Sequence, residues 1–425
     1  MRVSHVALDD YRSYRHAVVE FEPGVTVLVG RNGQGKTNLV EAIAYLSAFS
    51  SHRVAAEGAL VRVPPVHGDE ETPGGAVIRV KLVTGEHAAL VDPAPGESAQ
   101  AERSGGQGRR EQVIELEIVR GRANRARLNR TQVRPRELLG LVHTVVFAPE
   151  DLQLVRGDPS VRRTFLDDLA TQLRPTLVAV RSDFERVARQ RAALMKQAQA
   201  RQRRGMAPDL STLEVWDSQF CALSAQLTCA RAGLVERLRE PVARAYDEVA
   251  DSPRHLEITM VSSVDRVLGG DGEGRDGDGA DPWDVSVQEE RVHRALEQVR
   301  AREIERGVNL VGAHRDDLDL TLGGLPVKGY ASHGESWSVA LAMRMAAFAV
   351  LEEGGEEPIL ILDDVFSELD ASRREGLARM VTDADQVLVT AAVEADVPAQ
   401  LQGHRLVVRS DPVLGTVVER VDDGR

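Results

Sequence analysis

The segment Gly30-Arg31-Asn32-Gly33-Gln34-Gly35-Lys36-Thr37 constrains this chain more than any other. It fits G-x-x-x-x-G-K-[S/T], where glycines let backbone N–H groups wrap phosphate oxygens and the next helix adds its positive end. A β-rich run at residues 25–29 precedes it, and Leu39, Ile43 and Leu46 follow at helical spacing. This predicts a strand–loop–helix unit. Lys36 is expected to neutralise the β- and γ-phosphates, and Thr37 to hold Mg²⁺. Only four lysines occur in the chain (Lys36, Lys81, Lys196, Lys328), so a lysine at this position by chance is disfavoured.

A second segment answers the first. Pro358-Ile359-Leu360-Ile361-Leu362 reads as a buried strand ending in Asp363 and Asp364. In a parallel sheet, ligands bind at the C-terminal ends of strands. Asp363 is therefore expected to approach the Mg²⁺ and Asp364 an attacking water. The pair of motifs predicts a nucleoside triphosphate, ATP, with Mg²⁺. Ser332-His333-Gly334-Glu335 opens a long helical stretch and also reads as a capping box. Its place, one helix and one strand before Asp363, resembles the ABC ATPase signature. Phe366-Ser367-Glu368-Leu369-Asp370 is similar to the loop that follows Walker B in that class. By that resemblance Ser332, Gly334, Glu335, Ser367 and Asp370 join the nucleotide-binding set, and Ser332 and Gly334 act on the γ-phosphate held by a partner subunit.

Strand-like runs fill the first part of the chain. From about residue 160 to 306 the character turns helical, with few glycines and many Ala, Arg, Gln, Leu and Glu. Beyond Gly307 strands and helices alternate to the end. The pattern predicts an α/β domain interrupted by a helical one. Residues 92–110 read as a loose loop. Residues 269–284, with six glycines and six acids, read as a flexible acidic linker. The EF-hand spacing is not met there. Cys221 and Cys229, eight apart on a helix, lie roughly 12 Å apart, too far for a disulfide. His314 with Arg315, Asp316 and Asp317 suggests either a metal site or a hydrogen-bonded turn, and the turn is preferred. No export signal and no bilayer-length apolar run is seen, so a cytoplasmic protein without membrane contact is expected.

Longer motifs narrow the reading. The segment from Pro149-Glu150-Asp151-Leu152 through Gly157-Asp158-Pro159 to Arg162-Arg163-Thr164-Phe165-Leu166-Asp167 resembles the first signature of the RecF family. The segment from Leu360 to Asp370, followed by Arg374 and Leu377, resembles the second. Gly312-Ala313-His314-Arg315-Asp316-Asp317-Leu318 and Ser51-His52-Arg53 are also similar to that family. The resemblance implies an ABC/SMC-type P-loop ATPase head with an inserted helical lobe. Residues 1–165 would form the N-terminal part of the head, 166–306 the insert (lobe II), and 307–425 the C-terminal part. It further implies a slow, DNA-stimulated ATPase that dimerises on ATP and binds duplex DNA and gapped junctions. Such proteins load RecA with RecR and RecO in recombinational repair, replication restart and the SOS response. Three departures point to slow hydrolysis: Glu335-Ser336-Trp337 replaces commoner residues at the signature helix, Asp364 stands where transporters carry Glu, and Thr390-Ala391-Ala392 lacks a switch histidine.

Charge bears on the DNA reading. The chain of 425 residues carries −13, which excludes a uniformly basic nucleic-acid coat. Residues 120–136 nevertheless hold seven arginines and no acid; Arg120, Arg122, Arg125, Arg127 and Arg130 are the candidate DNA contacts. Residues 181–204 are a second basic stretch. Aromatic residues are only 4%, which disfavours base stacking on a bare strand. Three rivals fit less well. A transporter subunit would not place about 300 residues between Gly30 and Ser332. An SMC-like chromosome-maintenance ATPase needs long rods. A small-molecule kinase leaves the signature unexplained.

Overall fold

A computed structural model describes residues 1–51, 53–54, 56–64, 72–85, 110–207, 213–250, 254–269, 283–401, 403–411 and 414–421. Most of the loop expected at 92–110 and of the linker expected at 269–284, and His52, lie outside the described residues. The strands are β1 (Arg2–Tyr11), β2 (Tyr14–Glu20), β3 (Gly24–Val29), β4 (Gly75–Thr84), β5 (Arg110–Val119), β6 (Arg125–Leu128), β7 (Thr131–Val133), β8 (Thr144–Phe147), β9 (Leu256–Val261), β10 (Asp317–Leu322), β11 (Leu325–Pro326), β12 (Ile359–Asp363), β13 (Gln386–Ala391), β14 (His404–Asp411) and β15 (Gly415–Arg420). The longer helices are α1 (Lys36–Ala48), α2 (Pro159–Leu173), α3 (Leu177–Arg203), α4 (Leu213–Val249), α5 (Val285–Arg306), α6 (His333–Glu352) and α7 (Ala371–Val381).

The chain divides into two compact units. The first comprises Met1–Leu152, Arg244–Pro253 and His333–Arg425. Its described strands form one sheet of order β7-β6-β5-β4-β1-β2-β15-β14-β3-β13-β12-β8. The run from β14 through β3, β13 and β12 to β8 is parallel. Strands β12 and β13 are buried along their whole length, which is why 359–362 and 387–389 read as apolar runs. The run from β2 to β7 is antiparallel and alternates: Ile114, Leu116 and Ile118 of β5 face the core, while Glu115 and Glu117 face outward. A single residue pair, Tyr14 with Gly415, joins the two halves between β2 and β15. The parallel register sets Asp363 beside Thr390, and Thr390 beside Leu28. The ends of β3, β12 and β13 thus meet at one edge.

The second unit comprises Gln153–Ala243 and Arg254–Ser332. Here α3 packs on α5, over a core that includes Phe184, Val187, Phe220, Val292, Leu296 and Val299. A small antiparallel sheet of order β11-β10-β9 accompanies these helices. The helical reading of this stretch omits β9, whose six residues pair with β10. Cys221 is buried and Cys229 half-buried, and the two form no disulfide.

Arg191 is fully buried and pins three helices. Its guanidinium donates to Asp217 of α4 at 2.7 Å, to Glu303 of α5 at 2.7 and 3.1 Å, and to Asn309 at 2.7 Å. Removing one partner of a buried pair leaves an uncompensated charge and costs about 3–5 kcal/mol. Glu303→Ala is accordingly expected to lower the unfolding midpoint of the helical unit. Chemical denaturation without nucleotide checks this, and an unchanged midpoint contradicts it.

Candidate nucleotide site and arginine face

The Gly30–Thr37 loop leaves β3 and enters α1 under tight steric limits. A Cβ on Gly30 would lie 2.3 Å from the Val408 carbonyl oxygen. Gly35 has φ +103°, and a Cβ there would meet the Ser13 and Thr416 hydroxyls at 2.7 and 2.8 Å. Only glycine fits both demands. The Tyr14 hydroxyl donates to the Gly35 carbonyl at 3.0 Å, and Thr416 Oγ1 donates to that of Gln34 at 3.1 Å. The Gln34 side chain accepts from the Ser410 N–H. Arg31, Asn32 and Gly33, at the crest, are exposed.

Four predicted residues converge. Lys36 is only 3% exposed; its Nζ donates to the Gly30 carbonyl at 2.8 Å and stands 3.8 Å from Asp364 Oδ1. Thr37 Oγ1 donates to Asp363 Oδ1 at 2.9 Å. Asp364 adopts φ +50°, an uncommon conformation for a side-chain-bearing residue. Thr390, notable in the sequence only as a position without a histidine, completes the cluster. Its hydroxyl donates to Asp363 Oδ1 at 2.6 Å and accepts from the Asp364 N–H at 2.9 Å. A hydroxyl and a carboxylate side by side, both hard oxygen donors, suit Mg²⁺.

Of the signature and D-loop residues, Gly334 and Asp370 meet at one side chain, Arg373. Ser332 and His333 are exposed at the start of α6. A Cβ on Gly334 would meet the Arg373 guanidinium at 2.9–3.0 Å. Asp370 caps α7 by accepting from the Arg373 N–H at 3.0 Å. That N–H, reinforced by the guanidinium, holds the Asp370 carboxyl below the usual carboxylate range. Ser367 Oγ donates to the Asp364 carbonyl at 2.8 Å. Further along α6, Arg344 donates to Asp151 at 2.6 and 3.0 Å, tying the Pro149-Glu150-Asp151 segment to that helix.

The Gly312–Asp317 segment is a polar knot. Buried Asp316 accepts from Thr228 Oγ1 at 2.7 Å and the Ser263 N–H at 2.8 Å. Arg162 holds Asp317 through two bonds of 2.8 and 2.9 Å. His314 lies near the Phe184 and Phe220 rings, and burial pushes its pKa down to about 4. Among the described residues no group of three or more His, Cys, Asp or Glu could hold a metal.

The five candidate arginines are all exposed. Arg125 and Arg127 point outward from β6 and pair with Glu117 at 3.5 Å and Glu115 at 2.7 Å on β5. Burial pushes the Glu115 carboxyl up, but Arg79 and Arg127 outweigh it and hold it below the usual range. Arg120 donates to the carbonyls of Val61 and Arg62 at 3.3 and 3.5 Å. Arg122 and Arg130 form no ion pair among the described residues.

Comparison with known proteins follows the same lines. Residues 2–402 match the family model described as the RecF/RecN/SMC N terminal domain. A "DNA replication and repair protein RecF" of Frankia alni is 49% identical, over 97% of this chain and 99% of that protein. The protein of the same description from Beutenbergia cavernae is 48% identical, over 97% and 99%. A solved structure of "the recombination mediator protein RecF-ATPrS in RecFOR pathway" has TM-score 0.78 at 23% identity, covering 99% of this chain and 98% of that one. An Smc head bound to a domain of ScpA has TM-score 0.52 at 14% identity, covering 99% of each. A family match across nearly the whole length, with the phosphate loop and both carboxylates in place, means that the chain belongs to the RecF group of the RecF/RecN/SMC family.

Proposed function

We propose that this protein is an ATP-switched, dimeric DNA clamp of recombinational repair and replication restart. The observation that carries the reading is the closed cluster of Lys36, Thr37, Asp363 and Asp364, in a chain resembling repair proteins over 97% of its length. The loop N–H groups and Lys36 take the β- and γ-phosphates. Thr37 and Asp363 hold Mg²⁺, which neutralises phosphate charge when bound. Asp364 orients or deprotonates the attacking water. Ser332, Gly334, Glu335, Ser367 and Asp370 act on the nucleotide of a second copy, so each ATP completes its site only in the dimer. ATP then shifts the monomer–dimer population by mass action. Hydrolysis opens the clamp, slowly, because Asp364 has a shorter reach than the glutamate of transporters. DNA stimulation follows if the duplex stabilises the closed dimer.

The DNA surface includes the arginines of residues 120–130, with Arg122 and Arg130 the least compensated. The described strands and helices leave no room for a long rod, which favours repair over chromosome folding. RecR, RecO and RecA are the partners that family membership suggests, at single-strand/double-strand gap junctions and in the SOS response, in the cytoplasm. No described helix is long and apolar enough to cross a membrane.

A salt-titrated binding assay on gapped, duplex and single-stranded DNA, with ATP or ADP, tests the proposal. Tighter binding of gapped and duplex DNA with ATP is expected. The Arg122→Ala/Arg130→Ala double variant should flatten the log–log salt slope by about 0.9 for each phosphate it no longer neutralises. A preference for single strands, or equal binding with either nucleotide, overturns it.

A further inference from the structure

The Arg373 side chain lies at a junction the nucleotide chemistry does not explain. It is buried, and it starts from α7 just after the D-loop. Its Nε donates to Ser338 Oγ, inside α6, at 2.9 Å. Its Nη1 pairs with Asp370, the residue that caps its own helix. Between these anchors the guanidinium crosses Gly334 so closely that a Cβ there would stand 2.9–3.0 Å from three of its atoms. Ser338 is itself fully buried, one turn into the helix from Gly334.

We infer that Arg373 is a positioning residue, a strap that makes the signature turn and the D-loop one rigid body for the partner subunit's nucleotide. Both elements contribute to the face that a second copy must meet. If each moved independently, docking would have to order both at once, and the cost would fall on dimer affinity. A guanidinium holds a fixed fork, so it can grip Asp370 and Ser338 together; an ammonium cannot reach both. The strap also gives Gly334 a second reason to be glycine. Besides any approach of phosphate, a side chain there would push Arg373 off its anchors. The fixed charge beside the first turn of α6 adds to the positive end of that helix.

The inference rests on the dimeric clamp proposed above, and the experiment separates the two. Full-length wild type, Arg373→Met, Arg373→Lys and Ser338→Ala are compared by sedimentation with ATPγS. Binding of a fluorescent ATP is measured in parallel at concentrations where every variant is monomeric. Wild type should dimerise. Arg373→Met should weaken the dimer about tenfold or more, the size of one missing charge-assisted hydrogen bond. Ser338→Ala and Arg373→Lys should fall between, since each loses one anchor. Monomer affinity for the nucleotide should stay within about twofold in all, because the strap touches nothing in the phosphate loop. A fold defect would lower both readouts together; if Arg373→Met does not fold, Ser338→Ala decides. A wild type that stays monomeric overturns the clamp itself. A dimerising wild type matched by Ser338→Ala and Arg373→Met overturns the strap and leaves the clamp standing.

Discussion

Lys36→Ala is expected to remove ATP binding almost entirely. The ammonium is buried and points across its own loop to the Gly30 carbonyl, with Asp364 as the nearest carboxylate. A phosphate arriving there meets a cation already stripped of water. Truncating a buried, hydrogen-bonded charge costs about 2–5 kcal/mol, or roughly 30- to several-thousand-fold in Kd. Asp364 would also face the phosphates without the ammonium that now stands 3.8 Å from it, adding repulsion. Lys36→Arg keeps the charge and should fail as well, since a forked guanidinium has no room at a site 3% exposed. Calorimetric titration with MgATP measures both variants. Binding within a few-fold of wild type would falsify the role given to Lys36.

Asp364→Asn should separate binding from hydrolysis. Asparagine tolerates the left-handed conformation observed at this position, and its backbone N–H can still donate to Thr390. The substitution therefore leaves the loop in place and removes only the carboxylate. Loss of a positioned general base slows the chemical step about 10²- to 10⁴-fold. ATP affinity should hold or rise, because the phosphates lose a negative neighbour. The expected result is slow phosphate release together with a dimer that persists in ATP. Phosphate release at wild-type rate would mean that another group handles the water.

The parts of this site that were legible in the sequence are those with strong local constraints. The phosphate loop declares itself because two of its glycines sit where no Cβ fits. Strand β12 declares itself because a strand buried on both faces must be apolar throughout. What stayed hidden depends on register. Thr390 reads as an ordinary strand-favouring residue until β13 is laid beside β12 and its hydroxyl falls between the Asp363 carboxylate and the Asp364 N–H. Arg125 and Arg127 read as free positive charge, yet the β5–β6 pairing sets Glu117 and Glu115 directly across from them. Arg373 reads as half of an Arg-Arg pair on a helix; its grip on Gly334 and Ser338 spans a strand and two loops. Strand β9 carries an alternating pattern, but its partner comes only after another long helix.

The large sheet has a further consequence. Between β2 and β15 its ladder narrows to one residue pair, Tyr14 with Gly415, while Val3 and Gln386 exchange two bonds between β1 and β13. Tyr14, and Thr416 next to Gly415, also hold the phosphate loop: Tyr14 through the Gly35 carbonyl, Thr416 through that of Gln34. The narrowest point of the ladder therefore lies beside the Gly30–Thr37 loop. Strain on the Gly30–Thr37 loop is thus shared by two strands on either side of that pair: Tyr14 carries it into β2 and Thr416 into β15.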